Sequence, residues 1–119
     1  METGDRPTWV DIGPHRYTIH WDQAAIDRER VKEESPGLRG HIRYGENKIV
    51  IDPTMAPSHQ RRTLLHELLH GILDVTGWTS VAPEKPDCDD FLVRIDSMLL
   101  DTMRRNPHVV AWLLSPDDA

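Results

Sequence analysis

Thr63-Leu64-Leu65-His66-Glu67-Leu68-Leu69-His70-Gly71-Ile72-Leu73 sets His-Glu-x-x-His inside an apolar helical run. On a helix, His66 and His70 lie four residues apart, one turn up the same face. Two neutral imidazoles at that spacing can bind one Zn²⁺. Glu67 lies about 100° round the helix from His66, where it can reach a metal-bound water without ligating the metal. Leu64, Leu65, Leu68, Leu69, Ile72 and Leu73 cover more than one stripe, so the helix is expected at the centre of the domain. The two imidazoles then sit on a largely buried element and need partners, of which a metal is one. The bland alternative is two core histidines bonded to carboxylates and backbone, with Glu67 on a solvated edge.

Working outward, the motif helix starts between Pro57 and His59, with Ser58 as candidate N-cap, and ends near Val75 or Thr76 with Gly77 at C′. Leu38 to Asp52 predicts a β-hairpin. Gly40 to Tyr44 alternates, Gly45-Glu46-Asn47 supplies the turn, and the β-branched Lys48-Ile49-Val50-Ile51-Asp52 is a strand buried on both faces or crowded. Arg16 to Trp21 predicts another strand, with Tyr17, Ile19 and Trp21 on one face. Asp22 to Glu34 is highly charged, with a weak stripe of Ala24, Ile26 and Val31; a short surface helix and a mobile loop are both open. Trp78 to Asp87, with Pro83 and Pro86, predicts a loop. Asp89-Asp90 begin a second helix, acids at its N-terminus suiting the dipole. Phe91, Leu92, Ile95, Met98, Leu99 and Thr102 or Met103 keep helical spacing up to Asn106-Pro107. Val109 to Leu114 is a short apolar helix or packed tail.

A chain of 119 residues suits one domain spanning 1–119, with 1–8 and 115–119 as flexible ends. With 14 Lys+Arg against 20 Asp+Glu the formal charge is −6, which argues against a general nucleic-acid or anionic-membrane binder. Cys88 is the one cysteine, so no intrachain disulfide forms and a reducing, cytoplasmic setting is expected. No signal peptide and no membrane span are legible. The oligomeric state is not.

Two histidines leave a catalytic zinc short of the usual three protein ligands. Leu73 and Thr76 occupy the positions where a metzincin extension needs Gly and His, so that class is excluded. Asp74 suits a supporting role or simple exposure. The start of the second helix is the better source. With Ile95 as the centre of its buried face, Asp89 and Asp90 lie on opposite sides at about 120° and 140°, and Asp89 is preferred for sharing a side with Leu92. Cys88 projects closer to the core face and could bind as thiolate, with Glu84 and Asp87 as fallbacks. N-terminal helix charge alone would also explain two of these acids.

The expected chemistry is peptide hydrolysis. Zinc acidifies its bound water and polarises the scissile carbonyl, while Glu67 takes the water's proton and passes it to the leaving amine. The edge Ile49 to Asp52 could pair with an extended peptide or protein substrate. His41, Tyr44 and His59 are possible transition-state donors, none assigned. A zinc-stabilised regulatory or binding module without turnover is the rival, and Glu67 favours the enzyme because a structural site needs no base.

From Tyr17 to Leu114 the chain resembles the small zincin-type metallopeptidases, in particular phage- or prophage-encoded proteins related to the ImmA/IrrE group. The resemblance rests on Gly40-His41-Ile42-Arg43-Tyr44, Ile49-Val50-Ile51-Asp52, Gln60 to His70, the helix from Asp89, and Asn106 to Leu113. It implies an α+β fold, with a small antiparallel or mixed sheet packed on the motif helix, one further long helix and a short C-terminal helix. It also implies His66 and His70 as zinc ligands and Glu67 as general base. Gluzincin relatives use a downstream Glu as third ligand, where this chain offers the shorter Asp.

Overall fold

The computed structural model describes residues 6–77 and 88–116, the side chains at positions 88–90 and 94 excepted. Its elements are β1 (Trp9–Ile12), β2 (His15–Trp21), α1 (Gln23–Lys32), β3 (Gly40–Arg43), β4 (Lys48–Ile51), α2 (Pro57–Val75), α3 (Cys88–Arg105) and α4 (Pro107–Leu113). The strands form one mixed sheet in the order β1-β2-β4-β3. β1 and β3 are antiparallel to their neighbours, and β2 runs parallel to β4, pairing Ile19 with Ile49 and Trp21 with Ile51. This is the expected α+β architecture, with the motif helix packed on the sheet.

Alternation along β4 divides the molecule into layers. Ile49 and Ile51 join the main core with Leu64, Leu68 and Ile72 of α2 and Val109 and Trp112 of α4. Val50 points the other way, onto Ala25 and Ile26 of α1. The sheet is therefore covered by α1 on one face and by the remaining helices on the other. All three residues are buried, as their β-branched run predicted. Each such aliphatic side chain removed from water contributes about 1.5–3 kcal/mol.

Gly71 lies where α2 meets this sheet. A Cβ there would stand 2.7 Å from Ile12 Cδ1, so a larger residue would make the Ile12 side chain shift. The helix begins with Pro57 at its first turn and Ala56 as N-cap, without a side-chain cap. Ser58 lies inside the helix, contrary to expectation, because proline needs no N–H partner there. Gly77, at φ +77°, follows the Thr76 C-cap as expected.

One open reading is settled and two others change. Within Asp22 to Glu34 the segment Gln23–Lys32 is a helix, and Asp22 Oδ1 accepts the Ala25 amide at 3.2 Å and caps it. Its buried side is Ala25, Ile26 and Glu29, while Val31 is 81% exposed. β1 is a strand the sequence reading passed over. Its edge is closed in part by Asn106, which accepts the Asp11 amide and donates to the Asp11 carbonyl, both at 2.8 Å. Finally, Ile49 to Ile51 is not an edge: β4 lies between β2 and β3, so the outer strand on that side is β3. Among the described residues, no helix is long and apolar enough to cross a membrane.

Candidate metal centre

The side of α2 that meets the sheet carries Gln60, Leu64, Glu67, Leu68, Gly71 and Ile72. Glu67 is therefore a core-facing residue at 5% exposure, whereas His66 is exposed and His70 half-buried. The sequence reading had the imbalance the other way, with buried imidazoles in need of partners. The helical run is less buried than its leucines suggested, since Leu65 is exposed.

Glu67 lies against β3. A Cβ on Gly40 would stand 2.6 Å from Thr63 Cγ2 and 3.1 Å from Glu67 Oε2. Glycine at the start of the edge strand thus makes room for the carboxylate. Burial pushes the Glu67 carboxyl up to about 7, since the charged form is poorly solvated there. Burial, and then the neighbouring His66, lower the His70 pKa, which favours the neutral imidazole.

The two Nε2 atoms of His66 and His70 stand 3.1 Å apart, with the rings at 77° to one another. Two nitrogens at ~2.0–2.1 Å from a tetrahedral zinc are about 3.3 Å apart, so this pair fits one shared ion. A hydrogen bond between neutral rings has the same spacing.

The pair stands between two openings. One, of about 250 Å³, is lined by Arg39, Gly40, His59, Arg62, Thr63, His66 and Glu67. The other, of about 240 Å³, is an apolar wedge between α2 and α3 lined by His66, Leu69, His70, Leu73, Phe91 and Ile95. The helix that contributes Phe91 and Ile95 is also the one that begins at Cys88. The side chains of Cys88, Asp89 and Asp90, and all of Glu84 and Asp87, lie outside the described residues. The ground for preferring Asp89 is gone, because Leu92 is 52% exposed while Phe91 and Ile95 face the wedge.

The possible transition-state donors separate. His41 is turned to the opposite face of the sheet, its Nε2 3.6 Å from Glu29 and 3.9 Å from Glu33, away from Glu67. His59 lines the cleft with Glu67. Burial, and then the charges of Asp74 and Glu67, raise the pKa of Tyr44. Burial, and then the charge of Asp74, raise the pKa of Tyr17 to about 12; Asp74 itself is half-buried.

Among the described residues, one group of three ligating side chains could hold a metal ion: Glu29, Glu33 and His41, with donor atoms within 4.8 Å of one another. Sequence reasoning missed it. Glu29 and Glu33 are one helical turn apart, which was legible, but the approach of His41 depends on α1 lying over β3. Arg43 already donates to Glu29 Oε1, through Nε at 3.0 Å and also through Nη2.

No family model matches this chain, and neither the curated proteins nor the solved structures contain a match.

Proposed function

We propose that this chain is a zincin-like metallopeptidase, with His66 and His70 as zinc ligands and Glu67 as general base. One observation carries the reading: two converging imidazole nitrogens 3.1 Å apart beside a buried carboxyl, on a cleft that runs under an edge strand. Zinc held there would supply Lewis acidity to the scissile carbonyl and to the attacking water. Glu67 takes a proton from that water and returns it to the leaving nitrogen. β3 offers its outer edge to an extended peptide or protein substrate. The start of α3 would supply the third ligand, from Asp89, Asp90 or Cys88. The single cysteine suits a cytoplasmic setting.

Protein purified without chelator should carry near-stoichiometric zinc, and a chain without it overturns the reading. Glu67→Gln should keep the metal and lose at least about 100-fold in peptide hydrolysis. Zinc retained with hydrolysis undiminished would take Glu67 out of the reaction. Zinc retained with no hydrolysis by the unaltered chain would leave a metal-stabilised binding module.

A further inference from the structure

The cleft beside Glu67 is cationic in a chain whose overall charge is −6. Arg39 approaches it from the residue before β3, and His59 and Arg62 from the first turns of α2. Arg16 is paired with Asp11 at 2.8 Å, Arg30 with Asp52 at 2.8 Å, and Arg43 with Glu29. Arg61, next to Arg62, is turned away: it donates to the Trp112 carbonyl at 3.1 Å and lies over the Trp112 ring. The side chains of Arg39 and Arg62 are exposed and make no ion pair or hydrogen bond among the described residues. Among the described residues the fold thus leaves both guanidinium groups unspent on the walls of the cleft that also holds Glu67.

Geometry relates these charges to a ligand. A peptide added to the outer edge of β3 presents alternate side chains to the α2 face of the sheet. Gly40 and Ile42 of β3 point to that face, where they meet Thr63, Glu67 and Gly71. An added strand's side chains on the same face therefore face the cleft that Arg39 and Arg62 line. Guanidinium groups bind carboxylates there through paired, charge-assisted hydrogen bonds.

Resting on the peptidase reading above, we propose that this cleft selects peptides with an anionic side chain beside the scissile bond, held by Arg39 and Arg62 with His59 in support. The shared chemistry is an anionic oxygen group, from Asp or Glu or from a phosphorylated residue.

The test measures binding, so that it stands apart from turnover. Zinc-loaded Glu67→Gln protein is titrated into fluorescein-labelled extended peptides of one length whose central residue is Glu, phosphoserine, Gln or Lys. The Glu or the phosphoserine peptide, or both, should bind about 10-fold tighter than the Gln peptide, with Lys weakest; which of the two leads identifies the source of the anion. Arg39→Glu/Arg62→Glu should abolish or invert the order, and raising salt from about 0.05 to 0.5 M should compress it. Equal binding of the peptides, no binding of any, or an order untouched by the double substitution overturns the proposal. So does tighter binding of a single-stranded oligonucleotide than of every peptide. None of these results bears on the zinc content or the hydrolysis assay that decide the peptidase reading.

Discussion

β3 separates two buried glutamates that meet opposite fates. On the α2 side, Glu67 lies against Gly40, and burial raises its carboxyl to about 7. On the α1 side, Glu29 is buried too, and burial is again the largest influence on it. There, however, the hydrogen bonds and charge of Arg43, helped by the charges of His41 and Lys32, outweigh burial and hold the carboxyl below its ordinary range. Two residues of one strand, a glycine and an arginine three positions on, make one carboxyl a group that binds protons near neutrality and the other a fixed anion. Burial sets the demand for a counter-charge, and the neighbouring side chain decides whether it is met. A base suits the first environment, a structural ion pair the second.

The largest expected effect concerns Glu67. Its folded pKa lies above its ordinary value, so the stability it contributes is full below about 4.5 and is lost as pH rises through about 7. Urea denaturation of chelator-treated protein should show the unaltered chain losing on the order of 3 kcal/mol relative to Glu67→Gln between acid and alkaline pH. Parallel pH profiles would mean that Glu67 is not desolvated. For Glu29 the sign reverses: its stabilisation is present above about 4.5 and is lost as pH falls through its lowered folded pKa. Arg43→Met should lower the melting midpoint by about 5 °C at neutral pH, with little loss in acid, and should leave hydrolysis unchanged. A drop in hydrolysis matching the drop in stability would mean that the two sides are coupled through β3.

The smallest effect is at Gly40. Gly40→Ala should destabilise by about 1 kcal/mol and reduce hydrolysis, because the new methyl meets Thr63 Cγ2 and crowds Glu67. Thr63→Ser removes that Cγ2 and should recover most of the loss in the double variant. Strict additivity of the two substitutions would place the strain elsewhere.

Much of this was legible in the residues. The bounds of α2, the burial of Ile49 to Ile51, the stop at Asn106-Pro107 and the His66–His70 spacing follow from local periodicity and turn chemistry. β1 escaped notice because Trp9–Ile12 is short and is followed at once by Gly13-Pro14, although Val10 and Ile12 do alternate. α1 was ambiguous because its buried side includes Glu29, which no hydrophobic pattern marks. The substrate edge was misplaced because nothing in Lys48–Ile51 shows that β2 returns to pair with it in parallel.

His66-Glu67-Leu68-Leu69-His70 remains the centre of the protein, and its own sequence sufficed to set two imidazoles on one helical face, since 3.6 residues per turn is a local rule. Only the tertiary structure decided that Glu67, and not the histidines, would be the buried group. The same is true of its pairing with an edge glycine and of the two arginines, unpaired among the described residues, that line the cleft. Each of those outcomes joins residues more than twenty positions apart, and the free energy of burying a charge depends on what the fold brings beside it.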